Sequence, residues 1–267
     1  MRGALAIYVL IYLAFLYAPT ILLPIFAFND GQVIAFPLQG FTGKWFAELG
    51  RVPALHEAAL NSVIIASVSA VLSVVLAICA ARASTRHSFP LKRPVMGLIM
   101  LPLVLPEIIV AVALLVVFLQ IGLQPSSLTV VAGHVLICTP FAVAIMTGAF
   151  QNVDPSMEEA ARDLGETPLS AFRAVTLPLL APAIVSALLI SFTISLDEFI
   201  IAFFVSGTDP TLPVYLWSQL RFPARIPVVM ALGTVLVALS IGLIVLAEIY
   251  RRRGLRRAGI ADRGGHL

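Results

Sequence analysis

Three carboxylates, Glu107, Asp197 and Glu198, fall within long apolar stretches of this sequence. An acid at the centre of a membrane-spanning helix costs about 2.5–3.5 kcal/mol on insertion scales, so such groups face a cavity, a partner or a pathway rather than lipid. Their chemistry there would be to replace water around an ammonium group, loosely enough to let it leave. On a continuous helix Glu107 lies near the middle of its span, roughly 20 Å from the inner end. Adjacent helical residues point about 100° apart, so only one of Asp197 and Glu198 would face such a pathway. Phe199, Phe203 and Phe204 follow. An aromatic face can gate a pore or contact a cation, and plain helix packing explains the same residues. The simpler reading of the acids is a hydrogen bond to a neighbouring helix, which is also the reading of His134. Glu248 beside Arg251 and Arg252 reads as a local ion pair.

A second group of residues lies in the polar segment 151–178, QNVDPSMEEAARDLGETPLSAFRAVTLP. Asp154-Pro155 has the form of a helix start, an N-cap followed by proline at the first helical position. Ser156 with Glu159 offers an alternative capping box. Met157, Ala160, Ala161 and Leu164 then fall on one helical face. Gly165 stops the helix, because glycine adopts the left-handed cap without penalty. Thr167-Pro168 starts a second helix carrying Leu169, Phe172 and Val175, and Pro178 marks the entry to the next apolar run. The spacing therefore predicts two short helices joined at a glycine. The alanines give a smooth surface suited to a groove on a partner, or to lying on lipid.

The elements that hold these residues follow from composition. The chain has 267 residues, 60% hydrophobic and 12% charged, where a soluble domain carries about 25% charged residues. Six apolar blocks, roughly 5–27, 58–81, 94–119, 129–150, 179–205 and 228–249, have the ~20-residue length that crosses a bilayer. They are continuously apolar, so helices are expected and barrel strands are not. The first block is too long for a signal peptide and lacks a cleavage site, and reads as a span. Thirteen of the seventeen Lys and Arg residues lie on one side if both termini are inside: Arg2, Arg82, Arg86, Lys92, Arg93, Arg162, Arg173 and the six between 251 and 263. Only Lys44, Arg51, Arg221 and Arg225 lie outside, and the positive-inside rule then predicts cytoplasmic N- and C-termini. The net charge of +3 is better matched to the anionic inner leaflet than to nucleic acid. The outer loop 28–57, with Phe41, Lys44, Trp45 and Phe46, predicts a short interfacial helix with aromatic anchors. The chain reads as a single domain, 1–267, with the loop 151–178 and a basic, frayed tail, 251–267.

Other chemistries are excluded. Gly43-Lys44 lacks the upstream glycine and following Ser or Thr of a nucleotide-binding loop. There is no HExxH and no clustered Ser/His/Asp set. Cys79 and Cys138 have no metal spacing and read as small buried hydrophobes.

The loop resembles a known family. Permease subunits of ABC importers carry Glu-Ala-Ala, three residues, Gly, nine residues, Ile, one residue, Leu-Pro. This chain has Glu159-Ala160-Ala161, Gly165, Val175 and Leu177-Pro178 at those spacings, with Val in place of Ile. The strings FAFND, FTGKWF, LPLVLPEIIV, SLDEFIIAFFVSG and TLPVYLW are similar to those of PotC-type spermidine/putrescine permeases. The resemblance implies an all-α integral membrane protein of about six transmembrane helices, MetI-like, with a cytoplasmic coupling loop between helices 4 and 5. Glu159, Ala160, Ala161, Leu164, Gly165, Val175, Leu177 and Pro178 would couple it to an ATPase dimer. It further implies a second permease subunit, favouring a heterodimer, and a periplasmic solute-binding protein, all at the bacterial inner membrane. No cofactor is expected on this chain, with ATP and Mg on the partner ATPase. Import of a small organic cation, a polyamine first, is expected through a pathway including Asp197, Glu107, Glu198 and Phe199. The alternatives are a permease for another small solute, such as an amino acid derivative, or an ion-coupled secondary transporter. The latter leaves the loop without a task and usually shows an internal repeat.

Overall fold

The computed structural model describes residues 2–257, and every regular element among them is a helix. Five helices are long and apolar enough to cross a membrane, six if one bent pair is counted as a single span. They are α1 (Arg2–Ala27), α3 (Pro53–Arg86), α6 (Ser127–Gln151), the run ending in α9 (Leu177–Asp197), and α12 (Ile226–Arg257). The bent pair is α4 (Lys92–Met100) and α5 (Glu107–Gln120). Short helices complete the order: α2 (Lys44–Leu49), α7 (Ser156–Asp163), α8 (Pro168–Ala171), α10 (Ile200–Val205) and α11 (Leu212–Gln219).

The third block is not one helix. Residues Leu101–Leu103 close a 3₁₀ turn, Pro106 takes an extended conformation, and α4 and α5 meet at 106°. Pro102 and Pro106 each lack an N–H and disfavour helix in the preceding residue, so together they break the block. The fifth block breaks as well. Helix α9 ends at Asp197, Glu198 is extended (ψ 122°), and α10 begins two residues later. No proline forces this break. The carboxylate of Glu198 instead accepts hydrogen bonds from the N–H groups of Ile201 (2.9 Å) and Ala202 (3.1 Å), capping α10 in place of the continuing helix. At the other end, α12 continues as helix through Arg257, beyond the expected 249, so the first part of the basic tail is helical rather than frayed. Residues 258–267 and the Glu248 side chain lie outside the described residues.

The chain divides into two compact units. The smaller comprises residues 1–58 and 214–241. Its core is Ala27, Trp45 and Ala231, with Phe46, Leu49, Val228 and Met230 packed around them. Trp45 is buried and its indole N–H donates to the Asn29 carbonyl at 2.8 Å. The expected short helix α2 is present, but Trp45 is a core residue rather than an interfacial anchor, because that carbonyl satisfies its polar edge. Phe41 remains exposed, and Lys44 pairs with Asp30.

The larger unit, residues 59–213 and 242–267, has a core shared by α3, α6 and α9. Its inner core joins Val74, Ala77 and Ala81 of α3 to Val143, Met146 and Phe150 of α6 and to Leu180 and Ala187 of α9. Helix α3 buries a stripe of small residues, Ser62, Ala66, Ser69, Ala70, Ser73, Ala77 and Ala81. Lipid tails are as apolar as leucine, so helices in a bilayer associate through close backbone packing, which small residues permit. Cys138 of α6 is buried as expected, whereas Cys79 lies on the exposed face of α3.

Candidate functional site

The loop between α6 and α9 folds as its spacing predicts at its beginning. The Asp154 carboxylate accepts from the Ser156 N–H at 2.9 Å and caps α7. That bond, together with the Ser156 hydroxyl, lowers the Asp154 carboxyl below its ordinary value. After α7, Gly165 takes φ +95°, and the N–H of Glu166 bonds back to the Ala161 carbonyl to close the helix end. Thr167 caps α8, its hydroxyl accepting from the Ser170 N–H at 3.2 Å.

Beyond α8 the expectation of a separate short helix fails. Residues Phe172–Thr176 form a π-helical turn that runs without interruption into α9, and 168–197 is one helical run. The physical reason lies at Pro178. Its ring cannot accept the regular backbone path of the preceding turn, and a widened π turn absorbs that mismatch without ending the helix.

The face carrying Met157, Ala160 and Leu164 is uncovered by this chain: Leu164 is 88% exposed and Met157 50%. Glu159, Ala160 and Gly165 are exposed as well, while Ala161, Val175 and Leu177 are half-buried and Pro178 is exposed. Glu158, which the spacing did not single out, turns inward. One oxygen pairs with Arg82 of α3 and the other accepts from the Thr176 hydroxyl at 2.8 Å. Arg82 also lies over the Phe172 ring, 4.2 Å from its centroid. One turn further on, Arg86 donates to the carbonyls of Phe150 and Val153 at the end of α6. These arginines entered the sequence reading only as charges that set orientation. Their four-residue spacing on one helix face was the signal that could have paired them with the loop.

The intramembrane acids separate. Glu107 is the first residue of α5, beside the 106° break rather than within a helix, and is exposed. Asp197 ends α9 and is also exposed. Glu198 is buried, engaged with the α10 N-terminus, and 3.1 Å from Nε2 of His134. Nδ1 of His134 lies 2.7 Å from the Ser195 hydroxyl, so the histidine does join two helices, α6 and α9. Phe199, Phe203 and Phe204 pack ring on ring, with centroids 5.4 Å and 5.5 Å apart. Helix α10 lies against α5 and α6, and Gly133 makes room for it, since a Cβ there would overlap Ile201.

Residues 71–254, which include the loop and all three acids, match the family described as binding-protein-dependent transport system inner membrane component. The chain belongs to that family. Among its relatives is the putrescine transport system permease protein PotI of Escherichia coli (strain K12), 33% identical over 264 residues, covering 91% of this chain and 92% of that one. The spermidine/putrescine transport system permease protein PotC of Haemophilus influenzae is 33% identical over 241 residues, covering 90% and 93%. The fold matches a chain of a bacterial ABC transporter involved in the import of the acidic polysaccharide alginate, with TM-score 0.70 and 20% identity over 96% of this chain and 94% of that one. This inner membrane component is thus a multi-pass helical permease; the apolar blocks foretold its helical spans, and the resemblance of its loop foretold the family.

Proposed function

We propose that this permease is one transmembrane subunit of an ATP-driven importer that carries polyamines from a periplasmic binding protein to the cytoplasm. The observation that carries this reading is the loop 151–178. Its motif keeps every spacing, with Val175 in place of Ile, and its apolar residues Met157, Ala160 and Leu164 stand uncovered on α7 and at its end. An exposed apolar face rimmed by charge marks a docking surface. In the proposed assembly α7 enters a groove of a separate ATPase subunit, which binds ATP and Mg, and this chain binds no cofactor. A second, different permease completes the pathway. The distribution of the basic residues supports a cytoplasmic position for both termini and the loop.

The polyamine reading is supported by the relatives PotI and PotC, named for putrescine and spermidine/putrescine transport. It also accords with Glu107 and Asp197, two exposed carboxylates in apolar surroundings. Both are the pathway candidates. Glu198, already satisfied by α10 and His134, holds the pathway's wall instead, and Phe199 stands beside it. ATP binding closes the ATPase pair, α7 moves, and the path opens outward before hydrolysis resets it.

The test is ATPase stimulation in proteoliposomes containing this chain, its partner permease, the ATPase and the binding protein. Putrescine or spermidine is expected to stimulate hydrolysis, and Asp197→Asn to reduce polyamine transport roughly 10-fold, the equivalent of one weakened charge contact. Stimulation by an uncharged solute alone would overturn the cation pathway.

A further inference from the structure

The loop is joined covalently to two spans, yet the strongest side-chain ties of α7 run to a third. Helix α7 leaves α6 through residues 152–155 and reaches α9 through the turn at Gly165. That turn holds a left-handed residue with nothing within 4 Å of the position its Cβ would take, so no neighbouring side chain braces the backbone at that point. A push on α7 would be absorbed there unless another connection bypassed the hinge.

Such a connection exists at the inner end of α3. The two oxygens of Glu158 reach different elements, one the Arg82 guanidinium and the other the hydroxyl of Thr176, which is buried in the π-helical turn. The same guanidinium stacks on Phe172 of that turn. Side-chain exposures of 26% for Arg82 and 19% for Glu158 remove the pair from full solvent screening. Glu159, its neighbour, faces out and is free to meet a partner. The adjacent acids thus divide the work, one holding the chain and one facing away from it.

Resting on the docking of α7 to an ATPase, we propose that Arg82 is a positioning residue for energy coupling. It clasps α7 and the π-helical base of α9 to α3, so that displacement of α7 moves α3 together with α9. A guanidinium suits this role because it pairs through a rigid planar fork and stacks on an aromatic face at once, which a lysine cannot do equally well.

The test uses the complete transporter in proteoliposomes and reads ATP hydrolysed per solute imported, with assembly checked by co-purification. Arg82→Gln is expected to raise that ratio roughly 3- to 30-fold, the range in which residues remote from both sites alter coupling. Arg82→Lys should lie between. The exchanged pair Arg82→Glu with Glu158→Arg restores the ion pair without the Phe172 stack and should recover part of the coupling lost in the single variants, while unchanged co-purification in all of them excludes a merely structural role. A wild-type ratio in Arg82→Gln, or no recovery in the exchanged pair, overturns the proposal. If Arg82→Gln does not assemble, Thr176→Val removes one arm while sparing the ion pair, and an unchanged ratio there is equally fatal. A cross-link from Leu164→Cys to the ATPase subunit separates the two layers. Its absence in otherwise wild-type protein defeats the docking reading and the clasp with it, while its presence beside an unaltered Arg82→Gln ratio defeats the clasp alone.

Discussion

Gly165 shows how much one residue type decides in the loop. At φ +95° a β-branched side chain is strained whatever space surrounds it, and nothing lies within 4 Å of the position its Cβ would take. The strain is therefore of the backbone alone and of order 1–3 kcal/mol. Gly165→Val is expected to reshape the end of α7 and uncouple ATP hydrolysis from uptake, whereas Gly165→Asn, which tolerates the left-handed region, should retain most of the coupling. ATP hydrolysed per solute imported distinguishes them. Asp154 gives a pH prediction with a definite sign. Its folded pKa is lowered by the Ser156 bonds, so its contribution to α7 is full above the ordinary carboxyl value, about 3.9, and fades as pH falls through the lowered one. Asp154→Asn keeps a capping oxygen and removes the titration. Its loop should lose protection of the Ser156 amide less steeply with acid, as followed by hydrogen exchange.

At the scale of elements, the decisive features are two breaks and one bulge. Glu198 caps α10 from inside the fold, and leaving the buried Ile201 and Ala202 N–H groups without their acceptor costs about 1–3 kcal/mol. Glu198→Ala should therefore lower the thermal midpoint in detergent sharply, while Glu198→Gln, which keeps one acceptor for the α10 N–H groups, should lower it less. His134→Ala removes the other side of the contact and should fall between. The sequence made some of this legible. Asp154-Pro155, Gly165 and Thr167-Pro168 announced their turns because capping chemistry is local and each residue acts on its own backbone. The break at Glu198 was not legible, since a carboxylate that caps a helix and one that lines a pathway look identical in an apolar run. Only the path of α10 back toward α5 and α6 tells them apart. The bend at Pro102 and Pro106 had its signal in plain view, but prolines inside spans more often kink a helix than turn it through 106°.

For the molecule as a whole, hydropathy foretold a helical membrane protein because a bilayer leaves the backbone few alternatives. What it could not foretell is which faces meet the chain itself. The buried stripe on α3 is set by small residues, and Ala77, fully buried against α6 and α9, is its most sensitive point. Ala77→Leu would force those helices apart at a cost of about 1–3 kcal/mol, measurable as a lower detergent melting temperature, whereas the same change at exposed positions of α1 should be silent. Substrate is legible neither from fold nor from hydropathy. The same architecture appears in a chain of a transporter involved in the import of an acidic polysaccharide, so the fold leaves the sign of the cargo's charge open, and under the proposed polyamine reading that sign falls to side chains such as Asp197.

The two cysteines differ in a way that has a practical outcome. Cys138 is sealed in the interior with its thiol directed at the Ser191 carbonyl, while Cys79 stands on the open face of α3, three residues before Arg82. In solubilised protein a thiol-specific spin label should therefore load at a single native position. Because that position is one helical turn from the guanidinium that pairs with the loop, the label's spectrum would report the displacement of α3 that the proposed clasp requires, so the natural chain already carries a probe for it.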